Sequence, residues 1–219
     1  MSQTAAEATQ DWADKAEQRV LDEALRLSPR LGWNAGLVRA AAAAAQLSPG
    51  ETDLLLPQGP RDLAAILARR HDAKAMETLS RLDPAALKIR QKIREGVVAR
   101  IDAAAHDSEA VRRWAAFLAF PTNLPLALSL LWESADQLWR WAGDTATDEN
   151  HYSKRAILSG ILVSTLAVDL ASGRESALKH LDARIEGVMA FEKWKAGVKA
   201  PNLAAEFLAA LAKMRYARS

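Results

Sequence analysis

The side chains able to do chemistry are few and scattered in this sequence. His71, His106, His151 and His180 lie far apart, and none is preceded by Glu at the Glu-x-x-His spacing that di-iron helical bundles use. The densest polar stretch is GDTATDENHYSKR, residues 143–155. Asp144, Asp148 and Glu149 are of the type that binds calcium, yet the loop lacks the central glycine and distal bidentate glutamate of an EF-hand. A GxSxG elbow, an HExxH pair and a glycine-rich phosphate loop are absent as well. With no cysteine in the chain, disulfides and thiolate-bound zinc are excluded. No catalytic set, cofactor or metal site is expected, and 143–155 reads as a polar corner between two helices. Asp148 or Asn150 is expected to cap the second of them.

The elements that would position any site are helices. Half of the 219 residues are hydrophobic, alanine is abundant, and there are only 10 glycines and 8 prolines, a mix that favours helix. Periodicity predicts helices over 16–27, 35–47, from Gly59-Pro60, from Asp83-Pro84, from Asp107-Ser108, to about Trp141, over 152–171 and over 175–195, with a last one after Pro201-Asn202. SPGE at 48–51 reads as a turn and FPTNLP at 120–125 as a breaker. No alternating strand pattern occurs, so the fold class is all-α. The most apolar stretch, 156–168, is too short to cross a bilayer, and a soluble or surface-bound protein is expected. The acidic, polar residues 1–20 do not look like a signal peptide.

Charge is uneven. Residues 114–153 hold one base against five acids, and residues 154–219 hold eleven against six. An anionic surface could use that basic end, and a solvated set of helix faces explains it equally well. The helix–turn–short helix near 35–55 resembles a helix-turn-helix. Its would-be recognition segment, SPGETDLLLPQG, offers two acids and no base, and DNA binding needs Lys and Arg on phosphates. No nucleic-acid role is expected there.

Four of the seven tryptophans lie between 114 and 141. Trp132 and Trp139 share one helix face with Leu128 and Ala135. The partner helix 156–172 looks apolar all round, with Gly160 and Ser164 allowing close approach. Bulky aromatics opposite small residues leave room for a greasy ligand, and the faces nominate Trp114, Leu118, Leu128, Trp132, Leu158 and Leu162 as lipid-binding. A tight dry core fits the same residues. In the last helix, Leu203, Phe207 and Leu211 form an apolar stripe flanked by Lys213, which suits a membrane-binding amphipathic helix and equally a helix folded onto its own domain.

The run LLWESADQLWRWAGDTATDENHYSKRAILSGIL, followed by VDLASG, resembles the signature of the ninth coenzyme Q biosynthesis protein family. The segment LDEALRLSPRLGWNAGLVRAAAAAAQLSPGETDLLLPQGPRDL is similar to that family's opening helices. The resemblance implies a TetR-like fold: a degenerate helix-turn-helix part over 1–72, a helical lipid-binding and dimerisation domain over 73–199, and the amphipathic helix over 200–219. It implies a non-catalytic, homodimeric accessory protein of ubiquinone biosynthesis. Such a protein binds an isoprenoid lipid or phospholipid and presents quinone precursors to the demethoxyubiquinone hydroxylase at the membrane. His151 and Tyr152, with Leu138 beside them, fall on the family's partner-binding positions, so these side chains are expected to face outward. Animal members carry tryptophan where this chain has His151. Localisation is expected to be cytoplasmic and peripheral at the inner membrane. Two rivals stand: a TetR-like transcription regulator sensing a hydrophobic small molecule, and a structural dimer with a dry core.

Overall fold

The computed structural model describes the backbone over residues 2–145 and 149–197, and side chains over 11–145 and 151–190. Among the described residues the chain is helical throughout, with no strand: α1 (Ser2–Leu31), α2 (Ala35–Ala44), α3 (Pro49–Leu55), α4 (Pro60–Leu79), α5 (Ile89–Ala105), α6 (Ser108–Leu118), α7 (Leu124–Trp141), α8 (Glu149–Ser172) and α9 (Arg174–Gly197). Residues up to Leu181 form one compact unit, and Asp182–Ser219 a second.

Helix ends follow local chemistry. α1 runs about one turn past the expected end at residue 27 and carries Pro29 within it; Gly32 at φ +72 then ends it, its N–H bonded to the Ser28 carbonyl. The Asn34 side chain caps α2 by accepting from the Leu37 amide. At the other end Gln46 adopts φ +60, and the Leu47 and Gln46 amides reach back to Ala42 and Ala43 in a Schellman closure. SPGE is the start of a helix and not only a turn. Ser48 accepts from the Glu51 amide while the Glu51 carboxylate accepts from the Ser48 amide, a capping box legible as S-x-x-E. These bonds hold the Glu51 carboxyl below its usual range. The helix expected from Asp83-Pro84 is interrupted: Pro84–Ala86 make one 3-10 turn, Leu87 is extended, and α5 starts only at Ile89.

The core runs from α1 and α2 (Leu21, Leu37) through α4 (Leu63, Leu67) to α6 and α7 (Trp114, Leu118, Leu130). Each fully buried leucine contributes about 1.5–3 kcal/mol. Two tryptophans lock α4 into it: Trp33 Nε1 donates to the Pro60 carbonyl and Trp114 Nε1 to that of Ala64, both at 3.0 Å. The boundary expected at residue 72 falls inside α4.

The expectation for the apolar helix needs correction. The segment His151–Ser172 is long and apolar enough to cross a membrane by length and composition. The helix carries through Lys154-Arg155 and Asp169, the charged residues that bound the apolar stretch 156–168. Within the first unit α8 buries Leu158, Ile161, Leu162 and Thr165 and exposes Tyr152, Ile157 and Val163, so it is two-faced and not apolar on every side.

Candidate functional site: a cavity walled by a buried ion pair, and a pinned corner

Four helices converge on a cavity of about 40 Å³: α5 supplies Arg100 and Ile101, α6 Trp114, α7 Leu131 and Ser134, α8 Leu162 and Leu166. Of the six residues nominated from helix faces, Trp114 and Leu162 line it. Leu118 and Leu158 are buried without lining it. Leu128 is 66% exposed on the outer side of α7. Trp132 is half-buried and turns to the aromatic rings of the 143–155 corner, 5.9 Å from Tyr152.

The reason is a rotation of α7 relative to the tryptophan stripe. Its inward residues are Leu130, Ser134, Ala135 and Leu138. Indole rings carry an N–H that needs a partner, and they sit at the flank, where Trp139 Nε1 donates to the Lys154 carbonyl. Small residues at 134 and 135, one helical turn below Leu130 and Leu131, were the sequence signal for the inward face.

The polar wall of the cavity belongs to a network that spans three helices. Asp72 on α4, 4% exposed, accepts from Arg100 Nε at 2.5 Å and from the Ser134 hydroxyl at 2.7 and 2.9 Å to its two oxygens. One carboxylate thereby ties α4, α5 and α7 together. Next to Asp72, His71 is 1% exposed, and its ring meets Trp114 edge-on at 6.2 Å. Neither ring nitrogen has a partner among the described residues. Burial, then the charges of Arg100, Lys74 and Arg70, push the imidazole well below its ordinary pKa, so it is neutral at pH 7.

The second feature is the corner between α7 and α8. Arg155 is 2% exposed; its Nε bonds Asp136 at 2.6 Å, and its Nη1 bonds Asp144 at 3.1 Å and the His151 carbonyl at 3.2 Å. Lys154 adds a 2.6 Å bond to Asp144 and lies over the Trp139 ring. Burial raises the Asp144 pKa, and the hydrogen bonds from Lys154 and Arg155 outweigh it, leaving the carboxyl below its usual value. On the outside, Tyr152 is 64% exposed and meets the His151 ring edge-on at 5.2 Å. Leu138 does not join this surface. It is 3% exposed and fills the space above Gly96, where a Cβ would lie 3.1 Å from it. The expected caps Asp148 and Asn150, and Leu203, Phe207, Leu211 and Lys213, which are expected to bind a membrane, lie outside the residues whose side chains are described.

Among the described residues no three His, Asp or Glu side chains converge on a point. Ser164 and His180 approach to 3.0 Å, but the hydroxyl also donates to the Ile161 carbonyl, so it accepts from the imidazole and joins α8 to α9.

The fold and this site define an all-α protein with a small, largely apolar cavity that has one charge-compensated polar wall. Residues 124–192, which hold α7, the corner, α8 and most of α9, match the COQ9 family model. The Xenopus laevis protein "Ubiquinone biosynthesis protein COQ9-B, mitochondrial" is 31% identical over 190 residues, covering 80% of this chain and 63% of that protein. The corresponding COQ9 of Rattus norvegicus is 29% identical and that of Homo sapiens 26%, each over 185 residues and 80% of this chain. The chain is thus similar to COQ9 proteins over 80% of its length. It spans 58% to 63% of the length of these curated relatives.

Proposed function

We propose that this chain is a non-catalytic, lipid-binding accessory protein of ubiquinone biosynthesis. It holds an isoprenoid quinone precursor or phospholipid between α5, α6, α7 and α8 and presents it to the demethoxyubiquinone hydroxylase at the inner membrane. The observation that carries this reading is the apolar cavity, lined by Trp114, Leu131, Leu162 and Leu166, within a chain whose relatives are named for ubiquinone biosynthesis. A TetR-like arrangement is part of the proposal, with α2 and α3 as a helix-turn-helix that has lost its DNA chemistry. Glu51 and Asp53 on α3 would repel phosphate. Homodimer formation, and membrane attachment through Leu203, Phe207, Leu211 and Lys213, complete it.

Mass spectrometry of lipid extracted from the purified full chain is expected to find a prenylated quinone or phospholipid near one per protein. Protein that is consistently empty overturns the reading. Tyr152 supports the hydroxylase-facing part, because it is exposed while the arginine behind it is pinned. Tyr152→Ala is expected to weaken capture of the hydroxylase by about tenfold, the loss of one aromatic hot spot, with lipid content unchanged. Undiminished capture would remove the corner from the contact surface.

A further inference from the structure

We propose that the connection from α4 to α5 is a second membrane contact, in which Lys88 and Arg90 meet the head groups of an anionic bilayer while Leu82 and Ile89 enter its interface. The proposal deepens the membrane attachment in the reading above and is independent of the C-terminal stripe. Residues 81–94 hold five bases against one acid. Three of these bases act inside the protein: Arg81 pairs with Glu77, Arg94 lies 3.7 Å from Glu95, and Lys92 donates to the Ala142 carbonyl. Lys88 and Arg90 are exposed and have no ion-pair partner among the described residues. They do not serve α5 either, because positive charge beside a first helical turn opposes the helix dipole, and no acid stands in that turn to offset it.

The apolar part has its own origin. Ile93 and Val97 are buried on the inward face of α5, and Ile89 continues that line one turn further, to where it is 44% exposed. Leu82, earlier in the same connection, is 40% exposed. An acidic protein surface would answer the bases with carboxylates and leave these two aliphatic chains in water. A bilayer interface takes both kinds at once: the aliphatic chains enter the acyl boundary, and the Lys and Arg stems carry their charges up to the phosphates. Leu54 is the contrast. It is more exposed, at 73%, but Glu51 and Asp53 lie beside it on α3, and an anionic surface repels them. The bond from Lys92 to the Ala142 carbonyl holds the start of α5 against the end of α7. The same contact therefore brings the corner that carries the exposed Tyr152 close to the bilayer.

The test uses the full chain, whose lack of cysteine allows a single reporter to be placed by Ile89→Cys or, as the control, Leu54→Cys, each labelled with the polarity-sensitive dye NBD. The vesicles are phosphatidylcholine alone, or phosphatidylcholine with about one third phosphatidylglycerol. The dye at position 89 is expected to brighten and shift to the blue on the anionic vesicles only, and the dye at position 54 to stay as in water. Each base near such a surface contributes about fivefold to partition, so Lys88→Gln combined with Arg90→Gln should weaken binding to the anionic vesicles about twentyfold. Added salt should weaken the wild type in the same direction. Both side chains are exposed, and an unchanged melting curve establishes that the double variant is folded. Phe207→Glu separates the two attachments: it should weaken partition, while the dye at position 89 still responds in the fraction that binds. A silent dye at position 89 on vesicles that hold the protein overturns the second contact, whether or not charge draws the protein there. Binding that is indifferent to the glutamine pair and lost in Phe207→Glu overturns it as well and leaves the C-terminal attachment standing. Failure of the full chain to bind either kind of vesicle overturns both attachments.

Discussion

Arg155→Met is expected to lower the unfolding free energy by about 3–5 kcal/mol, the usual cost of removing one partner from a buried ionic network. Urea titration followed by circular dichroism measures it. The methionine fills much of the volume, so the loss reports the charge and its hydrogen bonds. The Arg155 side chain is 2% exposed, and it bridges Asp136 on α7, Asp144 in the corner and the first turn of α8. Without it, Asp144 keeps Lys154 and Asp136 keeps Arg140, which places the effect toward the lower end. Arg155→Lys retains a charge without the forked geometry and should recover only part of the loss. A loss under about 1 kcal/mol, the range of exposed pairs, would show that the network is solvated in solution. The acid limb carries a related signature. The Asp144 pKa lies lower in the folded chain than in the unfolded one, so its contribution is present above the unfolded carboxylate range and lost as pH falls through the folded value.

His71→Phe is expected to abolish a pH dependence of stability that the wild type shows below about pH 6.5. Burial keeps the His71 imidazole neutral well below its ordinary pKa, whereas in the unfolded chain it protonates near 6.5. Between the two values the unfolded state binds the extra proton, so stability rises with pH and falls on acidification. The limiting slope is about 1.4 kcal/mol per pH unit for one group. Phenylalanine occupies a similar shape against Trp114 and has no proton to gain. Melts from pH 7.5 to 5 should therefore show a steep wild-type decline and a shallower one in the variant, with the variant at least as stable at pH 7.5. Parallel curves would mean that a bonded, accessible imidazole occupies this position.

Much of the helical framework was legible because the apolar periodicity and the punctuation agreed. Asn34, Gly59-Pro60 and Asp107-Ser108 all lie where helices begin, and Trp141 where one ends. The errors came where one signal carried two meanings. Ser48-Pro49 reads as a turn, yet with Glu51 three residues on it starts a helix. Asp83-Pro84 starts only a single 3-10 turn. The site was half legible: Trp114 and Leu162 line the cavity, while Leu128 and Trp132 point elsewhere, because the tryptophans that drew attention to α7 mark its flank. The network Asp72–Arg100–Ser134 could not be read at all. Its members are 28 and 62 residues apart from Asp72, no local pattern joins them, and each alone looks like an ordinary surface residue.

The small volume of the cavity also has a bearing on rates. Under the proposed lipid-binding role, a ligand with a ring and a tail would exceed a cavity of about 40 Å³, and its uptake would wait on a wider shape of the protein. Measured affinity would then be the intrinsic affinity scaled down by the wider fraction. The filling rate would level off at high ligand concentration, and release would pass through the same widening.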